Sequence, residues 1–197
     1  MLGELSRTDF AMTTQYYTAS SLDGFIATPD DSLTWLFPLG DINDTGYPEF
    51  IAQVGAIAMG ATTYEWILRN VIHPEGRPAG SWPYAQPTWV FTHRDLPLTE
   101  GADLRFVRGD VRPVHAAMLV AANDANLWVV GGGELAGQFF DASLLDEIVV
   151  QVCSVTLGVG KPLLPRMITS PPLRLLSARA MGVGFAELTY AVPKSGG

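Results

Sequence analysis

A chain of 197 residues suits one ordinary domain and is short for two. With 48% apolar and only 16% charged residues it is neither disordered nor fibrous, and it can bury a two-sided core. Twelve Lys and Arg against twenty Asp and Glu leave a net charge of −8, which excludes nucleic acid and anionic membrane as general partners and requires any phosphate to be met by local groups.

Taken from the N-terminus, residues 1–12 hold acidic side chains and no continuous apolar segment, so they read as a weakly ordered lead-in, not a secretory signal. No run of about eighteen apolar residues occurs, so no membrane span is expected and the expected location is cytoplasmic. Residues 13–193 then form one domain, and 194–197 a tail. Strands are predicted at 15–20, 56–59, 88–92, 127–130, 147–155 and 185–192, where β-branched and aromatic residues cluster between turn formers. Segments 47–54, 63–70, 111–123 and 134–140 have the apolar spacing of helices. This alternation predicts an α/β fold with a largely parallel sheet and crossover helices. Only the Pro-rich stretch 162–172 separates the last two long strands, so the sheet should be mixed, with antiparallel C-terminal strands. Residues 73–87, punctuated by Pro74, Gly76, Pro78, Gly80, Pro83 and Pro87, read as an irregular surface excursion. The single cysteine, Cys153, rules out an internal disulfide or a cysteine zinc site and reads as a packing residue; no metal site is expected.

Three strand ends carry the candidate chemistry. In Trp128-Val129-Val130-Gly131-Gly132-Gly133-Glu134-Leu135 an apolar strand runs through three glycines into a helix, which lets backbone amides approach a phosphate. The run satisfies the G-x-G-x-x-A dinucleotide pattern, but it lies late in the chain, and Asp146 and Glu147 precede the next strand where the doubly wound fold needs an acid at a strand end. In Met59-Gly60-Ala61-Thr62-Thr63-Tyr64-Glu65 a second strand opens a helix, with Thr62 or Thr63 as N-cap and Glu65 in the first turn; capping and anion binding are equally good readings. Thr92-His93-Arg94 ends a third strand with a guanidinium that suits a 2′-phosphate or a solvated loop. In one parallel sheet the three ends converge on the edge where open α/β sheets bind ligands.

The order of these motifs resembles the dihydrofolate-reductase superfamily, and most closely the reductase domain of the bifunctional riboflavin-pathway deaminase-reductase family, over residues 15–192. Ser21-Leu22-Asp23-Gly24, the loop from Asp30 to Trp35, Met59-Gly60-Ala61-Thr62-Thr63, Thr92-His93-Arg94, Gly131-Gly132-Gly133 and the late segment 158–165 stand in that family's order. The resemblance implies a three-layer dihydrofolate-reductase-like fold, NADPH as cofactor, and reduction of a pyrimidine-, pterin- or flavin-like heterocycle. It would set Gly60, Ala61, Thr62, Thr63, Gly131, Gly132, Gly133, Glu134 and Leu135 along the pyrophosphate. Thr92 and Arg94 would meet the 2′-phosphate, and Ala19 and Ile26 the nicotinamide. Trp35 would border the substrate, and Asp23 would be the proton donor, its other reading being an Asx turn that shapes the bend. Ala61 replaces an arginine of the family's turn, which shifts NADPH preference onto Arg94. Where dihydrofolate reductases carry a substrate-orienting acid, this chain has Gly46, with Asp44 and Glu49 as the flanking candidates. The expected partners are a small heterocycle and, in a homodimer, a second copy of the chain.

Other chemistries fit less well. The H-x-E and P-C-x-x-C pair of base deaminases is missing, Ser20 and Ser21 lack a nucleophile elbow, and Pro162 breaks a P-loop at Gly158-Val159-Gly160-Lys161. A binding protein that keeps this fold without the reaction is the alternative from another class.

Overall fold

A computed structural model describes residues 12–194 of the chain; the expected lead-in and tail lie, but for residues 12 and 194, outside them. The elements run β1 (Thr14–Ser21), β2 (Phe25–Ala27), α1 (Tyr47–Ile51), β3 (Val54–Gly60), α2 (Ala61–Ile67), β4 (Thr88–Phe91), β5 (Leu104–Val107), α3 (Val111–Ala122), β6 (Asn126–Gly131), α4 (Gly133–Asp141), β7 (Glu147–Cys153), β8 (Lys161–Pro162), β9 (Arg174–Met181) and β10 (Phe185–Ala191). Eight strands form one sheet in the order β5-β4-β3-β6-β1-β7-β10-β9, and β2 pairs with β8 in a small second one. The first six strands of that order are parallel, whereas β10 runs antiparallel to both β7 and β9. This is the mixed, mostly parallel α/β fold that the alternation of elements predicts.

Side chains that point to alternate faces along each strand divide the core in two. On one face, Tyr16, Ala58, Leu127 and Val129 pack under Met118 of α3 and Phe139 of α4. On the other, Ile57, Met59, Val90 and Trp128 pack with Tyr64 and Ile67 of α2. Phe139 is fully buried, and emptying its place would cost about 3–5 kcal/mol. Helix α3 starts where the Asp110 side chain accepts from the Arg112 amide and stops at Asn123 in the left-handed region, φ 49°.

Four strands lie where the sequence predicts none. β9 is almost wholly exposed at the sheet's edge, so its Leu-, Ala- and Arg-rich sequence carries no period-2 burial pattern. β5 has four residues at the opposite edge, and β2 and β8 have three and two. Helix α2 is capped by Gly60 with no side-chain bond, so Thr62 and Thr63 lie inside the helix instead of opening it.

Candidate functional site

The C-terminal ends of β1 and β6 and the start of α4 open onto one cleft of about 930 Å³. Its two ends differ in chemistry. One holds Gly131, Gly132, Gly133 and Glu134 beside Thr62 and Thr63, because β3 and β6 are neighbours and Met59 pairs with Gly131. Gly132 has φ +82°, a conformation that side chains rarely adopt, and a Cβ there would meet nothing closer than 4.0 Å. Glycine is required at this turn by backbone strain, and the space beside it stays open to a ligand. The other end is aromatic, with Tyr17, Tyr47, Trp66, Tyr84 and Trp128 on its walls. Trp128 anchors this wall by donating its indole N–H to the Tyr17 carbonyl at 3.0 Å, and Tyr17 stacks on Phe50 at 4.2 Å. Ala19 and Ile26 line the cleft as well, as do Phe37 and Phe185.

The residues singled out in the sequence divide between the cleft and its frame. Ala19, Ile26, Thr62, Thr63, Gly131, Gly132, Gly133 and Glu134 line it. Gly60 and Ala61 form the strand-to-helix joint outside the lining, and Leu135 is buried against the core under α4. Thr92 is buried and its hydroxyl accepts from the Arg94 amide at 3.0 Å, shaping the turn. Arg94 lies outside the lining, exposed, with both terminal nitrogens on the Glu65 carboxylate at 2.8 and 2.9 Å. Trp35 is outside too, its indole N–H buried without a hydrogen-bond partner, and Asp44 and Glu49 are exposed away from the cleft.

Asp23 stands in the turn after β1. It is exposed outside the cleft, and its carboxylate accepts from Ser21 Oγ at 2.6 Å, Leu157 N at 3.0 Å and Gly158 N at 2.7 Å. The Ser21 hydroxyl, then the Leu157 amide, hold its pKa below the usual 3.8. A carboxylate so engaged ties the turn after β1 to the loop after β7.

The sequence reading misses a buried polar row on the aromatic side. Gln151 lines the cleft, is 4% exposed, and donates from Nε2 to Tyr17 Oη at 2.6 Å and to Glu187 Oε2 at 3.2 Å. Glu187, 2% exposed, takes the Arg179 guanidinium on its other oxygen. These residues share a face because Gln151 pairs with Glu187 across β7 and β10, and Glu187 with Arg179 across β10 and β9. A Cβ on Gly46 would overlap the Glu187 carboxylate, so the place where an acid was sought on α1's approach is filled by an acid from β10. Burial, and next the Glu187 charge, push the Tyr17 phenol upward, and burial does the same to Tyr47 and Tyr84. All three stay protonated at neutral pH, as hydrogen-bonding groups and not bases. Only a polar residue interrupting an otherwise apolar strand signals such a row, and Gln151 in Val149-Val150-Gln151-Val152 is that signal.

Charges frame the polar end. Arg166 clasps Glu134 at 2.9 Å and Asp141 at 2.8 Å, which with the bond from Tyr16 Oη to the Leu163 carbonyl at 2.9 Å fixes the Pro-rich floor at Pro162 and Pro165. Lys161 meets Asp31 at 3.4 Å on the rim. Among the described residues no cluster of His, Cys, Asp and Glu could hold a metal, and no helix is long and apolar enough to cross a membrane. Cys153 is buried, its thiol pushed up to about 11 by burial.

Comparison with known proteins accords with this geometry. The RibD C-terminal domain family matches residues 13–186. YwjB of Bacillus subtilis, an uncharacterized protein, is 32% identical over 86% of this chain and 92% of its own length. The crystal structure of a putative riboflavin biosynthesis protein from Shewanella sp. PV-4 superposes with a TM-score of 0.73 at 25% identity, covering 91% of this chain and 98% of that one. Dihydrofolate reductase from Enterococcus faecalis, complexed with NADP(H) and RAB-propyl, shares the fold at a TM-score of 0.56 and 15% identity, over 91% of this chain and 95% of that one.

Proposed function

Since the chain belongs to the RibD C-terminal domain family, we propose that it is a nicotinamide-dinucleotide-dependent reductase acting on a flat nitrogen heterocycle, with NADPH as reductant. The observation that carries this reading is one cleft that holds both a glycine turn and an aromatic, amide-bearing compartment, with Ala19 and Ile26 in the same lining. A turn with φ +82° and open space at Gly132 fits a dinucleotide pyrophosphate, and the start of α4 directs free N–H groups to it. Aromatic walls fit a flat ring.

When bound, a reduced nicotinamide supplies the hydride. The chain's residues do the rest. Ala19 and Ile26 present small apolar surface where donor and acceptor carbons must come within about 3–3.5 Å and water must be kept out. Trp128, Tyr47 and Tyr84 hold the ring plane. The proton that accompanies reduction comes from solvent, to which the cleft is open beside Asp41, whose Oδ1 accepts from the Asn43 amide at 2.8 Å. The Glu65 carboxylate releases Arg94 to the extra phosphate of NADPH, and Arg94 alone carries the preference over NADH.

Calorimetric titration with both dinucleotides tests the reading first. NADPH is expected to bind at micromolar affinity, about tenfold tighter than NADH, with Arg94→Ala bringing the two together and Gly132→Val abolishing binding in a folded protein. NADPH oxidation in the presence of dihydropterins, aminopyrimidinones and flavins then tests the reaction. Tight NADPH binding with no turnover on any of them identifies a binding protein instead, and absence of binding to either dinucleotide defeats the reading.

A further inference from the structure

We infer that Gln151 is the residue that reads the substrate, presenting a hydrogen-bond acceptor to a heterocycle that carries ring N–H groups, and that Glu187 is the positioning residue that fixes it so. The inference rests on the reductase reading and adds the substrate's recognised edge.

The side-chain amide of a glutamine can be turned either way, so its neighbours decide which atom faces a ligand. Here the neighbours leave one choice. Glu187 is paired with Arg179, and an ionised carboxylate only accepts, so the atom 3.2 Å from Glu187 Oε2 must be the NH₂ group. Tyr17 Oη, at 2.6 Å, takes the second hydrogen of that same NH₂. Both donors are thereby spent inside the protein. Oε1 receives no hydrogen bond from any described residue, and Gln151 lines the cleft although it is 4% exposed. An acceptor of this kind, flanked by aromatic walls, matches the ring N–H of a lactam and rejects a ring whose nitrogens are alkylated.

The Glu187 carboxylate has little freedom to leave this arrangement. Arg179 holds one oxygen across the strand pair, and the space on the other side is closed by the backbone at Gly46. The pair is buried at the carboxylate end, where an unpaired charge would be costly, so the orientation of the amide is built into the fold.

5,6-Diaminouracil and its 1,3-dimethyl derivative, which differ in ring N–H groups and keep the same carbonyls, are suitable probes. Titrated against the wild-type protein with NADPH present, and followed through tryptophan fluorescence, to which the cleft-lining Trp66 and Trp128 contribute, the free N–H form should bind about tenfold tighter. Glu187→Gln lets the amide at 151 turn over, and should reduce that preference to about twofold without changing NADPH affinity. Should Glu187→Gln fail to fold, Gln151→Met, similar in size and lacking the acceptor, should remove the preference by the same amount. Equal affinity of the two probes in wild type, no binding of either to protein that binds NADPH, or an intact preference in a folded variant overturns the inference. Loss of NADPH binding in wild type is the separate failure of the reductase reading.

Discussion

Three donors converge on Asp23, and their geometry sets its role. Both carboxylate oxygens accept from backbone amides at Leu157 and Gly158, so replacing one oxygen by an NH₂ group turns an acceptor toward a donor. Asp23→Asn is therefore expected to loosen the loop at 157–158 and lower the melting temperature while leaving NADPH affinity as it was. Hydrogen exchange at those two amides, set beside a calorimetric titration, measures both effects. If the amides stay protected and affinity falls, Asp23 belongs to the cleft after all. Arg94 shows the same principle with charge: a guanidinium that looks free in Thr92-His93-Arg94 is engaged by Glu65, 29 positions earlier, a pairing the sequence does not reveal.

Among the elements, β1 and α3 are joined by a contact that titrates. Thr14 Oγ1 and His115 Nε2 lie 2.8 Å apart, and burial holds the imidazole below its usual 6.5, the nearby Asp146 opposing this only in part. A depressed histidine pKa means that the unfolded chain takes up a proton which the folded chain refuses, so this stability is complete above pH 6.5 and falls as the pH drops through that value toward the folded pKa. The urea midpoint should accordingly fall between pH 7.5 and pH 5.5, and His115→Asn should flatten the slope; an equal slope in both proteins excludes His115 as its source. The elements most legible in the sequence are those with strong patterns, the buried strands β3 and β6 and the glycine turn into α4. β9 was illegible because an exposed edge strand has no apolar alternation, and the Gln151–Glu187–Arg179 row because only strand register brings together residues 36 and 8 positions apart. The cleft's glycine end could thus be read from one local motif. Its aromatic end depends on α1, β1, β6 and β7 meeting in space.

For the whole molecule the governing quantity is charge. The chain carries −8, and the charged residues lining the cleft are Asp31, Asp41 and Glu134 against Lys161 alone. Arg94 and Arg166 are each bound to carboxylates, Arg166 to the cleft-lining Glu134 among them. An anionic dinucleotide would therefore approach through a repulsive field, its attractive contacts forming only after it arrives. Salt shortens the reach of that field from about 30 Å at 0.01 M to about 10 Å at 0.1 M. The association rate of NADPH is thus expected to rise with ionic strength over this range, the reverse of the usual behaviour of electrostatically steered binding. Stopped-flow tryptophan fluorescence at fixed pH measures it. Arg94→Ala, by freeing Glu65 as an unpaired negative charge beside the polar end, should steepen the rise. A rate that falls with salt would mean that Arg94 or Arg166 leaves its carboxylate before the cofactor arrives, so that the polar end attracts phosphate at a distance in spite of the net charge.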